Sequence, residues 1–323
     1  MSDRQTPGQT PWDDSLYGFH LAGGMMRGRL VRLGAALDDL LGRHDWPPVV
    51  EALLGQTTVL AAALAAGLKY EGVFTLQTSS DGPIPTLMAD VTSTGDVRAV
   101  ARLDRERLDP LLAAHPEAGN DPAAIGLSAL LGRGHVAFTV DQGPGTERYQ
   151  GITELVGETL ADSVAHYFHQ SEQLPTVLLA AARHDPAQGW RAGCLLVQRM
   201  PPEAGGRDGA AAEDAWETAG VLLGTLGPDE LLDPTLTPDR IVHRLFHGEA
   251  LVPGETRPLR FGCRCSRGKV EAALSRFSRA DLEAMKQDDG RVSASCQFCA
   301  AHYTFEDDDL DALASDRGAP GAG

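Results

Sequence analysis

Apolar positions along this chain change period several times, and each change marks an element. Over 25–41, Leu30, Leu33, Leu37, Leu40 and Leu41 recur at the spacing of one helical face. Pro47-Pro48 closes that stretch before a second helix over about 49–66. Two-residue alternation follows at Phe74, Leu76 and Thr78 and again at Leu87, Ala89 and Val91, with Asp81-Gly82-Pro83 as the turn between two strands. Val136, Phe138 and Val140 alternate in the same way, a Gly- and Pro-bearing break follows, and Arg148-Tyr149-Gln150-Gly151-Ile152 resumes the pattern as the second arm of a hairpin. A helix over about 160–170 and strands near 176–182 and 194–198 complete the first part of the chain.

The pattern then becomes helical. Residues 201–209 have linker composition, after which Trp216, Ala219, Leu222, Leu223 and Leu226 share one helical face. Thr237-Pro238-Asp239 starts another helix carrying Ile241, Val242, Leu245 and Phe246. Both helices are short and amphipathic, so each needs a partner surface. Beyond Pro258 the pattern predicts a helix over about 269–277, a Ser278-x-x-Asp281 cap with a further helical turn, and strands ending at Tyr303 to Phe305.

The fold class is therefore α+β, with a sandwich-like N-terminal α/β core, a helical linker and a small C-terminal module. The expected boundaries are a frayed extension over 1–14, the core over 15–202, the linker over 203–257, the module over 258–310 and a disordered tail over 311–323.

Composition narrows the function. The net charge is −17, and the 25 arginines and 3 lysines are spread thinly, so the chain is expected to repel phosphate backbones. The most apolar stretch, 59–68, is about half a membrane span and reads as a buried core helix, so no membrane partner is expected. The N-terminus lacks a basic segment followed by an apolar run. Of the five cysteines, four lie in two tight pairs, unlike the distributed framework of a secreted disulfide protein. These features point to the cytoplasm.

The strongest chemical signal is Cys263-x-Cys265, thirty intervening residues, then Cys296-x-x-Cys299. Two close pairs of soft donors can converge on one tetrahedral ion, so these four are the candidate ligands of a single Zn²⁺. Phe261, Phe298 and Tyr303 are expected to form a minimal core around it, and so small a module should depend on its metal to fold. Each pair is also close enough to close as a short, labile disulfide ring once the metal is lost. Arg260, Arg264, Arg267 and Lys269 surround the first pair; they either favour the reactive thiolate or offset the charge of a four-thiolate site. His302 reads as a surface or supporting histidine and Cys194, within an apolar run, as a core residue. Arg148-Tyr149-Gln150-Gly151 is a candidate surface site without evident chemistry, and no nucleophile triad, phosphate loop or dinucleotide motif is present, so no enzymatic activity is expected.

Phe261-Gly262-Cys263-Arg264-Cys265-Ser266-Arg267, Cys296-Gln297-Phe298-Cys299-x-x-His302-Tyr303-x-Phe305, Arg148-Tyr149-Gln150-Gly151 and Tyr167-Phe168-x-x-Ser171-Glu172-Gln173-Leu174-Pro175-Thr176 together resemble the bacterial 33 kDa heat-shock chaperone family, in order and spacing, from about residue 15 to about 310. The resemblance implies a redox-switched, ATP-independent holdase that binds unfolding client proteins under oxidative and heat stress. It implies a reduced, inactive monomer holding one zinc on Cys263, Cys265, Cys296 and Cys299. Oxidation would then release zinc, form the disulfides Cys263–Cys265 and Cys296–Cys299, unfold module and linker, and favour a homodimer. Two other classes compete. A zinc-ribbon nucleic-acid protein is opposed by the charge balance, and a thiol-disulfide oxidoreductase would place Cys296-x-x-Cys299 at a helix start in a βαβ unit.

Overall fold

The computed structural model describes residues 12–143, 145–201 and 210–315. The chain divides into two units, residues 1–262 and 263–323.

In the larger unit, β1 (Ser15–Leu21), β2 (Met26–Leu33), β8 (Thr176–Asp185), β9 (Gly189–Arg199) and β10 (Val252–Pro258) form an antiparallel sheet in the order β10-β1-β2-β9-β8. A second sheet has the order β11-β5-β4-β3-β6-β7, from β3 (Val73–Ser80), β4 (Thr86–Thr92), β5 (Asp96–Arg102), β6 (Gly134–Asp141), β7 (Tyr149–Glu154) and β11 (Arg260–Phe261). The hairpins β3–β4 and β6–β7 fall where the alternation placed them. Between the sheets runs α2 (Pro48–Ala65), touching β2, β8 and β9 on one side and β3, β4 and β5 on the other. By length and composition alone it could cross a membrane, but 83% of it is buried inside the fold, as expected of a core helix. Its two central hydroxyls can be buried because Thr57 and Thr58 donate back to the carbonyls of Leu53 and Leu54, at 2.6 and 2.7 Å. Helices α1 (Ala35–Leu41), α3 (Arg105–Ala113), α4 (Leu127–Leu131) and α5 (Leu160–Gln170) flank this core.

The first sheet is covered on its other face as well. Helices α6 (Ala210–Gly224), α7 (Pro228–Leu231) and α8 (Pro238–Phe246) are the expected linker helices. Their Ala219, Leu223, Leu231, Ile241, Val242 and Phe246 pack with Phe19, Leu21, Met26, Leu30, Leu195 and Val197 of the sheet. This accounts for β9, where nine consecutive residues are buried: successive side chains point to opposite faces, and both faces are dry. Cys194 lies in this run, fully buried, and burial pushes its thiol up to about 12, so it is an inert core residue as expected. The Gly-rich start of the expected linker, residues 202–209, lies outside the described residues.

Three expectations are corrected. The helical face over 25–41 is a strand followed by a helix. Consecutive residues of β2 serve different cores, Leu30 with the linker helices and Val31 with α2, so the spacing of the leucines imitates a helix across a two-sided strand. The frayed extension cannot reach 14. The Asp13 carboxylate is buried between the guanidinium groups of Arg32, at 3.0 Å, and Arg191, and Asp14 accepts from the amides of Gly34 (2.8 Å) and Ala36 (3.1 Å), capping α1, whose own N-cap Gly34 has no side chain to offer. Residues 1–11 lie outside the described residues. Finally, the linker does not end at 257 with the module beginning at 258. β10 pairs with β1, and β11 adds in parallel to β5, so the chain contributes one strand to each sheet before the smaller unit starts at Cys263.

Arg32 ties these parts together. Besides Asp13 it donates from Nη1 to the carbonyl of Leu236, between α7 and α8, at 2.7 Å. Burial lowers its pKa while Asp13 opposes that shift, so the carboxylate is what keeps this charge tolerable inside. Replacing Asp13 by Ala leaves two buried guanidinium groups without their shared carboxylate. The expected loss is roughly 3–5 kcal/mol of stability, read from urea unfolding of Asp13→Ala against wild type; a loss below about 1 kcal/mol would mean that water replaces the carboxylate.

Candidate metal centre

The smaller unit is built on few apolar groups. Two short helices, α9 (Arg267–Leu274) and α10 (Arg279–Ala284), precede the hairpin of β12 (Val292–Ser295) and β13 (His302–Phe305), and α11 (Asp307–Ser315) closes it. The Ser278-x-x-Asp281 pattern forms a full capping box: Ser278 accepts from the Asp281 amide, and the Asp281 carboxylate accepts from the Ser278 amide. Leu274, Leu282, Val292, Phe305 and Leu310 are the buried core, with Val270, Tyr303 and Leu313 against it. Of the three aromatics expected in a minimal core, Tyr303 packs against this cluster, whereas Phe261 belongs to the larger unit, beneath the Arg43 guanidinium. The expected disordered tail also starts too early, since α11 runs to Ser315; residues 316–323 lie outside the described residues.

Cys263 and Cys265 sit on the segment before α9, and Cys296 and Cys299 on the turn joining β12 to β13. Their four Sγ atoms lie within 4.8 Å of one another, with Cys263–Cys296 at 3.6 Å and Cys265–Cys299 at 3.3 Å. Four sulfurs tetrahedrally placed about 2.3 Å from an ion would be about 3.8 Å apart, so the observed cluster is close to that spacing. None of the four is joined in a disulfide. The donor set is soft and closed, and could hold a metal ion.

The local backbone is arranged for thiolates. Amides of Phe298 and Cys299 point at the Cys296 sulfur, that of Ala301 at Cys299, and that of Cys265 at Cys263. The turn is closed by the Ala300 amide on the Cys296 carbonyl and the Cys296 amide on the Ala301 carbonyl, both 2.9 Å, with Ala300 at φ 55°. Burial raises all three shifted thiols, but for Cys263 the Cys265 amide and the neighbouring thiols prevail and bring it down to about 6, while Cys299 rises to about 12 and Cys296 also rises. Cys263 therefore ionises more readily than Cys296 and Cys299.

Of the basic residues around the first pair, Arg267 is engaged with Glu271 (2.9 Å), Asp309 (2.8 Å) and the Thr304 carbonyl (2.7 Å), its guanidinium 4.4 Å from the Phe305 ring centre; Arg260, in the larger unit, pairs with Asp96. Cys263 is lowered by the Cys265 amide and by the other three thiols. His302 is exposed and bonds Ser295 at 3.0 Å, outside the sulfur cluster, as expected of a surface residue. Sequence reasoning missed the role of Tyr303, whose hydroxyl donates to Cys265 Sγ at 3.2 Å; the only signal was its position on a strand that returns beside the second cysteine pair.

Comparison with known proteins agrees with this picture. A family model described as Hsp33 protein matches residues 14–306. The 33 kDa chaperonin of Caulobacter vibrioides is 38% identical over 297 residues, covering 91% of this chain and 95% of that protein. The 33 kDa chaperonin of Azotobacter vinelandii is 38% identical over 300 residues, covering 92% of this chain and 94% of its relative. The crystal structure of the 33 kDa chaperonin from Thermotoga maritima superposes with a TM-score of 0.77 at 23% identity, over 94% of this chain and 99% of that one, and shares its fold. With the family model spanning nearly the whole sequence, the chain belongs to the Hsp33 family.

Proposed function

We propose that the chain is a redox-switched, ATP-independent holdase of the cytoplasm, one that acts by binding unfolding proteins rather than by catalysis. The observation that carries this reading is the pairing of a four-thiol cluster with a module whose buried core has, among the described residues, five apolar side chains. A Zn²⁺ bound there would supply the folding free energy so small a core lacks, on the order of 10 kcal/mol in zinc-finger peptides. Cys263, Cys265, Cys296 and Cys299 are the ligands, and in the reduced state the linker helices stay on the first sheet.

Oxidation changes what the sulfurs can do. Two thiolates give two electrons to one equivalent of peroxide or hypochlorous acid and become one disulfide, which no longer ligates. Pairing of Cys263 with Cys265 and of Cys296 with Cys299 follows from the family resemblance. In the reduced geometry the two shortest recorded separations cross between the pairs, so forming these disulfides requires the cluster to rearrange. Loss of the module would free the short β11, which directly precedes it, then the fully exposed β10, and with them the helices α6 to α8. Client proteins would bind the two surfaces so uncovered, the helix faces and the sheet around Phe19, Met26, Leu195 and Val197, and pairing of such surfaces would favour a homodimer.

Two measurements test this. Peroxide with heat should release one zinc per chain, consume four thiols, and let the protein suppress aggregation of a denatured client enzyme; zinc release with no gain in that activity would sink the proposal. Phe305 is fully buried in the module's apolar core. Because folding and binding are coupled, Phe305→Ala should lose about 3 kcal/mol and bind Zn²⁺ roughly 100-fold more weakly in chelator competition, with an unchanged affinity counting against metal-dependent folding.

A further inference from the structure

The motifs around Tyr149 and Tyr167 lie far along the chain from the cysteines, yet they converge on one place. The larger unit contains a cavity of about 470 Å³ to which both contribute, a volume suited to a small organic ligand. Its apolar walls include Leu64, Leu68, Phe74, Phe138, Val140 and Phe168. The tyrosine hydroxyls are 3.1 Å apart and each donates to Glu172 Oε1 at 2.6 Å, which fixes that carboxylate at an exposed position on the lining. Gly151 makes this possible, because a Cβ there would stand 2.1 Å from the Tyr167 hydroxyl. The Tyr-Gln-Gly motif is thereby explained as the support of one wall.

Arg29 is the buried charged group of the lining. Its residue is 4% exposed, and it lines the cavity from β2. Nη1 donates to Gln198 Oε1 at 3.0 Å and to the Ala63 carbonyl at 3.5 Å; among the described residues no acceptor meets Nε or Nη2, and no carboxylate pairs with the guanidinium. Gly67 leaves it room, since a Cβ there would come within 2.8 Å of Nη2. Burial lowers the Arg29 pKa to about 10, with Arg27 adding to the shift, so the group is still cationic at neutral pH. A buried cation with unused donors facing an apolar cavity is costly unless an anion completes it. Glu172 does not, being committed to the two tyrosines, and its charge disfavours a second anionic group on the same ligand.

We propose that this cavity binds a small apolar monocarboxylate, its carboxylate on Arg29 and its hydrocarbon or aromatic body against the Phe74, Phe138 and Phe168 wall. The site belongs to the reduced, folded larger unit and is independent of the cysteine switch.

The test uses full-length reduced protein and three probes of one shape, hydrocinnamate, the matching neutral alcohol and the matching amine, titrated by calorimetry and ligand-observed NMR. Hydrocinnamate should bind about 10-fold or more tightly than the alcohol, a difference of about 1.4 kcal/mol, and the amine should not bind. Arg29→Gln, with its near-ultraviolet circular dichroism matching wild type, should reduce the acid's advantage to about 2-fold or less. Leu68, 43% exposed, gives a second variant that spares the core: Leu68→Trp should fill the cavity and abolish binding of acid and alcohol alike. Equal affinities for acid and alcohol in the wild type, an advantage that survives Arg29→Gln, or binding that survives Leu68→Trp would each overturn the proposal.

Discussion

Dry burial of the β2–β9 ribbon on both faces is the constraint from which most of this molecule follows. A sheet covered on one side can alternate apolar and polar residues, but β9 keeps nine successive positions out of water. One face is permanently filled by α2, whose residues also serve the second sheet, so that layer cannot be lost without losing the fold. The other face is filled by α6 to α8, which contribute a separate apolar cluster and are followed by strands only seven and two residues long. The sheet is therefore a shared wall between a deep core and a shallower cover. Removing the cover would expose a ready-made apolar surface while the deep core stays intact, which is the physical basis of the holdase reading.

The cysteine module stands on the opposite principle. Its small apolar cluster gives it little cohesion of its own, and exposed ion pairs such as Arg279 with Asp307 and Asp311 add little in water. What organises it is the convergence of four sulfurs and the amides aimed at them. On the proposed reading, an oxidant acting on those atoms reaches the unit with the smaller apolar core directly, without opposing the cohesion of the larger one.

How much of this was legible in the sequence depended on whether the signal was local. The cysteine pairs, the Ser278 capping box, the hairpin turns and helix α5 are written in short spacings, and all were located to within a few residues. β2 was misread as helix because residues on its two faces are apolar for different reasons, and a periodicity test cannot separate two partners. β1 left no clear pattern for the same cause. Asp13 and Asp14 looked like solvated terminal acids because their partners, Arg32, Arg191 and the start of α1, are distant along the chain or offer only backbone. At the metal centre the ligands could be read and the Tyr303 contact could not, since a tyrosine on a strand carries no mark of what its hydroxyl will meet. Arg29 was equally hidden, one arginine among many until its burial on neutral acceptors alone set it apart from Arg32 and Arg191.

The hydrogen bond from Arg32 to the Leu236 carbonyl gives the cover a threshold. When the segment between α7 and α8 lifts, even briefly, a buried guanidinium loses its acceptor and stays short of a partner until water has entered along the sheet. Small excursions are thus penalised while complete departure is not, because full exposure hydrates the arginine again. A cover fastened in this way responds in two positions instead of leaking in proportion to stress. The resting protein would then keep this apolar wall hidden from healthy neighbours, however crowded the cell.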